Sequence, residues 1–340
     1  MSPEIKYSIP FNGNLGLTLS ALKSGKVGEV YFAHARPRDF SAPSKSVRPN
    51  SRKQIYELLE LCRKYEAGRN LLLNRSMAYC DNVKELLRSV KDLQENGGLT
   101  SLTVANPYVA SLLKPCFPKI GLQASVFMNI DSLPKVREAI KMGLSEFCLD
   151  VSLNRNAEEL ERISRLKKTY PFLKIKLLAN HGCYQHCFYA QKHADLPLWH
   201  EATSALRLKQ LPMLGRKIDY SKCRYQVDNL ADEIKRPYIR PEDVSFYEKN
   251  GLADTIKIAH RIDDTKLLAM KFHAYFSRSF KGDLFSIAPS YKGSRPFLCD
   301  NACFPKGFIE KVSRCGQACS RCRYCFLLAS KVLKPKTQAV

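Results

Sequence analysis

The stretch "EFCLDVSLNRNAEELERISRLKKTYPFLKIKLLANHGC" (146–183) holds one complete unit of the chain's architecture. "EFCLDVSL" (146–153) and "KIKLLAN" (174–180) are short, nearly continuous apolar runs of strand length. Between them "AEELERISRLKKTY" carries apolar residues at helical spacing. A strand, a helix and a second apolar strand read as a parallel βαβ unit, whose strands are covered on both faces. The glycine at 182 then lets the chain turn away from the second strand.

The same alternation runs outward in both directions. Strand-like runs occur at "EVYFAHA" (29–35), "NLLLNRS" (70–76), "SLTVANP" (101–107), "KIGLQASV" (119–126), "YIRPED" (238–243) and "TIKIAHR" (255–261). Helix-length segments such as "SRKQIYELLELCRKYE" and "NVKELLRSVKDLQENGG" separate most of them, and "DSLPKVREAIKMG" opens on a cap signal and closes on glycine. With the two runs of the opening unit this makes eight strands. The predicted fold is therefore α/β, a (β/α)8 TIM-like barrel with a cysteine-rich C-terminal extension. An open doubly wound sheet is the rival, but no G-x-G-x-x-G follows the first strand. The expected division is a lead-in over 1–24, a barrel over 25–285 with a long cysteine-containing loop at 181–236, and a basic, cysteine-rich extension over 286–340. A loop after a barrel strand lies on the face where barrel enzymes keep their active sites, so topology alone makes 181–236 a candidate site.

Among 340 residues, 55 Lys and Arg oppose 32 Asp and Glu, a formal charge of +23. The excess is clustered at 20–55 and 301–340, and basic clustering attracts polyanions. The opening "MSPEIKYSIPFNGNLGL" has no long uncharged apolar stretch, and no window reaches the ~20 apolar residues of a membrane span. A cytoplasmic protein without a membrane span is expected. In that setting 13 cysteines point to thiols and metal before disulfides. Cys62 and Cys148 fall in helical and strand patterns and read as small core residues.

Nine of the remaining eleven cysteines form two groups. The loop carries Cys183, Cys187 and Cys223 among His181, His186, His193 and His200. Thiolates at short spacing select zinc or an iron–sulfur cluster over hard cations. The extension carries Cys299 and Cys303, then Cys315, Cys319, Cys322 and Cys325 at C-x3-C-x2-C-x2-C spacing. That run is nearer to ferredoxin cluster loops than to the separated knuckles of a zinc ribbon. Zinc in the extension is the alternative. The first three of these four also have radical S-adenosylmethionine spacing, but beyond the last strand, where such enzymes carry it after the first.

The "NHGC" turn, the third loop cysteine and "YIRPEDVSFYEKNGLADTIKIAHR" together resemble the collagenase-like U-type peptidase family over roughly residues 25–285. Members of that family were named as peptidases. Several carry a [4Fe-4S] cluster on four cysteines and support oxygen-independent hydroxylation of ubiquinone precursors, transfer RNA or ribosomal RNA, with prephenate as the implied oxygen source. The resemblance implies Cys183, Cys187 and Cys223 as cluster ligands. The first pair is closer than in those members, and no fourth cysteine follows Cys223 within the barrel, so Cys80 or a tail cysteine would complete the set.

Arg240, His260 and Arg261 end late strands and are the candidate catalytic residues at the same mouth, with Asn74 and Arg75 beside them. Converging arginines suit a carboxylate or phosphate, and rim pairing with Glu242, Asp243 or Asp263 is the competing structural role. Asp150 reads as a structural carboxylate. Tyr184, Phe188 and Tyr189 would shield a cluster or stack on bases. The expected function is iron–sulfur-dependent, oxygen-independent hydroxylation of an anionic small molecule or RNA, with one or two clusters and a possible protein partner. A peptidase, a zinc-containing RNA-binding protein and a radical S-adenosylmethionine enzyme are the alternatives. The chain lacks H-E-x-x-H and G-x-S-x-G.

Overall fold

The structure is a computed structural model that describes residues 4–33, 50–74, 83–185, 187, 230–289, 297–316 and 318–336. Eight parallel strands close into a barrel in chain order: β1 (Lys6–Pro10), β2 (Val27–Phe32), β3 (Gly68–Leu73), β4 (Ser101–Val104), β5 (Gly121–Ala124), β6 (Glu146–Cys148), β7 (Lys174–Leu178) and β8 (Thr255–Lys257). β8 closes on β1 through Lys6–Thr255, Tyr7–Ile256 and Ser8–Lys257 register pairs.

Helices α1 (Leu15–Lys23), α2 (Arg52–Lys64), α3 (Val83–Gly97), α4 (Pro107–Cys116), α5 (Leu133–Lys141) and α6 (Ala157–Ser164) alternate with the first seven strands. Their starts follow local chemistry. Ser51 and Gln54 form a reciprocal capping box on α2, and Asn106 caps α4 with Pro107 at its first position. Outward-facing strand residues such as Val30, Phe32, Leu71, Val104, Phe147, Ile175 and Ile256 pack with the helices as the main core.

The expected and observed barrels differ in one strand. "YIRPED" forms no strand: Tyr238 and Ile239 are buried, and Pro241–Asp243 is a single 3-10 turn. Ile239 donates its N–H to Ala179 at 2.8 Å, an extended segment docked on the end of β7 without joining the ladder. The eighth strand is instead "KYSIP" at 6–10, inside the segment expected as a lead-in. Its Ile5, Tyr7 and Ile9 face the core, while Ser8 points into the lumen to hydrogen-bond Glu29.

After β7 the chain reaches α7 (Ala231–Lys235), α8 (Val244–Lys249) and β8, then α9 (Thr265–Ser277) and α10 (Leu284–Ile287). The extension pairs β9 (Phe297–Cys299) antiparallel with β10 (Leu333–Pro335) and adds α11 (Phe308–Ser313) and α12 (Tyr324–Val332). α12 packs on α7, so the extension lies against the connection that leaves β7. Among the described residues no helix is long and apolar enough to cross a membrane.

Candidate functional site

β7 ends in Ala179 and Asn180, and Asn180 ties β7 to β8. Its Oδ1 accepts from Ala259 N at 2.6 Å, and its Nδ2 lies 3.4 Å from the Ala259 and Ile287 carbonyls and from His260 Nδ1. His260 takes a left-handed backbone, φ 73°, which turns the chain at the rim. Asp263 closes this turn by donating its N–H to His260 O at 3.1 Å, and its carboxylate accepts from Lys271 of α9. Lys271 Nζ also lies 3.4 Å from His260 Nδ1. Burial, reinforced by the charges of Lys271 and Arg236, holds the His260 pKa down at about 3, so the ring is neutral.

Past Gly182 the chain turns tightly. Cys183 donates its backbone N–H to His181 Nδ1 at 3.2 Å, and Cys187 donates to Tyr184 O at 3.3 Å. Both thiols are buried. Burial depresses His181 to about 4, against the opposing pull of Asp150, so this ring is neutral too. A neutral imidazole accepting at Nδ1 carries its proton on Nε2.

Beneath the turn lies Arg236, which sequence reasoning passed over because it stands alone between α7 and a proline. It is fully buried. Its Nη2 donates to the Ala288 and Pro289 carbonyls, and its guanidinium stacks over Tyr238 and Phe285. Glu233 on α7 accepts from Tyr184 at 2.5 Å and lies 3.7 Å from Arg236 Nη1. Nε and Nη1 of Arg236 have no hydrogen-bond partner among the described residues, and the same holds for Nε and Nη1 of buried Arg155. Arg236 lies within electrostatic reach of Cys183.

The other mouth candidates divide. Arg261 is half-buried beside Tyr31, and desolvation lowers its pKa. Arg240 is engaged by Asp243 through two hydrogen bonds, 3.0 Å from Nε and 2.6 Å from Nη2, and stacks on Phe304 and Phe308. Asp150 caps the following 3-10 turn, accepting from Ser152 N and Oγ. Glu242 accepts from Phe280 N and Asn301 Nδ2, joining barrel to extension. Cys80, Cys223, His186, His193, His200, Arg75, Phe188 and Tyr189 lie outside the described residues.

In the extension, Cys315, Cys319, Cys322 and Cys325 line one cavity of about 290 Å³. Cys299 and Cys303 do not line it. Cys299 is buried in β9, where burial pushes its thiol up to about 12, and Cys303 donates its S–H to Asp300 at 3.3 Å. Among the described residues no three His, Cys, Asp or Glu side chains converge tightly enough for a single metal ion. Cys62 and Cys148 are buried core thiols.

A closed parallel barrel of this kind is a (β/α)8 protein, and the C-terminal mouth, to which its longest connection brings thiols and neutral imidazoles, is where that class keeps its site. The model for peptidase family U32 matches residues 19–175. An uncharacterized protease of Methanocaldococcus jannaschii is 28% identical over 246 residues, 71% of this chain and 69% of the relative. A solved U32 peptidase structure, 14% identical, superposes with a TM-score of 0.50 over 76% of this chain and 92% of its own, which supports the fold. The chain is thus similar to peptidase family U32 over residues 19–175. The family match stops at residue 175, before the mouth loop and extension.

Proposed function

We propose that the barrel mouth is an iron–sulfur site serving oxygen-independent hydroxylation of an anionic substrate, RNA included. The observation that carries this reading is the pair of buried thiols in the turn, Cys183 and Cys187, with a fully buried guanidinium, Arg236, within electrostatic reach of Cys183. Glu233, 3.7 Å from Nη1, is one negative partner of this buried cation, and Nε, without a hydrogen-bond partner among the described residues, is left to meet a second. A thiolate-ligated cluster or a bound carboxylate supplies one. The soft donor set of Cys183 and Cys187 suits iron and sulfide, with Cys223 and Cys80 or a tail cysteine as the remaining ligand candidates.

When bound, the cluster would supply Lewis-acid or one-electron chemistry. The chain's own residues have separate roles. Arg236 and Arg261 hold negative charge at the mouth, and Arg155 and Lys271 reinforce that field. His181 and His260, kept neutral by burial, add no further positive charge and each retains one ring nitrogen able to donate. Tyr184, fixed by Glu233, keeps water from the thiols.

A peptidase is the second reading, and the name of the archaeal relative favours it. One set of measurements separates the two. Protein purified without oxygen is assayed for iron and sulfide, and RNA and quinones from cells with and without the chain are compared for species heavier by one oxygen atom. Iron, sulfide and a chain-dependent oxygenated species support the proposal. A colourless preparation that cleaves protein substrates overturns it.

A further inference from the structure

We propose that Cys315, Cys319, Cys322 and Cys325 ligate a [4Fe-4S] cluster separate from the barrel-mouth site.

The four thiols belong to one short wrapped segment. Arg321 and Cys322 both donate their N–H groups to Ala318 O, at 3.0 and 3.1 Å, which folds the loop back on itself. Cys325 sits in the first turn of α12, half-buried, while Cys315, Cys319 and Cys322 stand exposed on the loop. All four open onto the same cavity, and Val312, Tyr324 and Phe326 give it an apolar wall. Exposed thiols facing one shared cavity have no packing role to account for them; a buried cysteine such as Cys62 has one.

The thiols' arrangement and their C-x3-C-x2-C-x2-C spacing favour a cluster over one ion. A structural zinc draws four thiolates into a single tetrahedron at ~2.3 Å from the metal. Among the described residues no three ligand-type side chains are gathered for a single ion, and the four thiols are instead arrayed around one cavity of about 290 Å³. A cluster of iron and sulfide holds its thiolates at separate corners and occupies such a space.

Charge agrees. Four thiolates leave the assembled centre anionic, and the cavity is lined by Lys235, Lys311 and Arg323 with no carboxylate among its lining residues. Lys235 is fastened by Asp232 at 2.9 Å, which keeps its ammonium beside Cys319 and Cys325.

Position ties this centre to the barrel. An adjoining cavity of about 200 Å³ is walled by Tyr184 and Gln185 on one side and by Cys315, Cys319 and Cys325 on the other. Tyr184 and Gln185 therefore face the extension's thiols across this cavity, so the two sites are neighbours with separate ligands.

Thiol alkylation of the full chain, loaded with iron and sulfide without oxygen, tests the proposal. Iodoacetamide is followed by peptide mass, with Cys116 and Cys303 as exposed references. In the loaded protein the references react while Cys315, Cys319 and Cys322 react at least about tenfold more slowly, and in the metal-free protein all five react alike. Cys322→Ala restores reactivity at Cys315 and Cys319 and lowers iron by about half. Cys183→Ala leaves the extension protected. Unprotected extension thiols in the loaded protein, or protection reproduced by zinc with no iron and sulfide bound, overturns the proposal. If the extension is protected and Cys183→Ala leaves iron unchanged, the mouth reading fails and this one stands.

Discussion

Lys176 of β7 donates to Glu29 of β2 across the barrel lumen, with 2.8 Å between Nζ and Oε1. The same ammonium lies 2.9 Å from Glu146. One cation thus serves two buried carboxylates, and they settle differently. Burial alone would raise Glu29, but Lys176 and hydrogen bonds from Ser8 and Gln123 bring its pKa to about 2. At Glu146 burial prevails over the same lysine, and the pKa rises. Lys176→Met is expected to cost about 3–5 kcal/mol, because it leaves a buried charge without its partner. Glu146→Gln is expected to cost less than about 1 kcal/mol. Urea unfolding midpoints compare the two.

Glu29 also sets a pH dependence. Its folded pKa lies below the ordinary value of 4.5, so its contribution is complete above that value and is lost as the pH falls from there towards about 2. Glu29→Gln is expected to remove that part of the acid transition, read from unfolding midpoints across the same range.

Arg240 was a catalytic candidate, and its contacts give it a structural task. Its fork is matched by Asp243 and its plane is stacked on Phe304 and Phe308, so it joins the barrel rim to the extension. Asp243→Asn is expected to destabilise the fold by about 2–4 kcal/mol while metal content per folded chain stays unchanged. Thermal unfolding with metal analysis of the soluble fraction checks both parts.

His260 resists protonation in the folded state, at about 3 against an ordinary 6.5. The unfolded chain binds the proton first, so stability is full above 6.5 and declines as the pH falls towards about 3. His260→Asn keeps a residue that tolerates the positive φ and removes the titration. The variant is expected to flatten the wild-type slope over that interval, measured by urea unfolding at a series of pH values.

Most of the barrel was legible because its strands read as short, largely apolar runs and its helices are amphipathic. The exceptions share a cause: periodicity reports burial, and burial is not the ladder. Tyr238 and Ile239 are as buried as strand residues, but they dock on the end of β7. "KYSIP" is a strand whose Ser8 turns inward to meet Glu29, which breaks the apolar run. Lys176 in "KIKLL" resembles a solvent-facing residue until closure of the barrel turns it onto two carboxylates. In the site, the spacing of Cys183 and Cys187 and of the four tail cysteines was visible. The pairing of the loop with the extension, more than a hundred residues later, and the burial of Arg236 depend on tertiary packing and leave no local pattern.

The central claim is that Cys183 and Cys187 hold iron and sulfide beside Arg236. Its most direct test is the iron and sulfide content per chain, with the visible spectrum, of the Cys183→Ala/Cys187→Ala double variant beside wild type, both prepared without oxygen. The prediction is a loss of about four iron and four sulfide per chain and a matching fall in absorption that bleaches on reduction. Iron and sulfide equal to wild type in a folded double variant would contradict it.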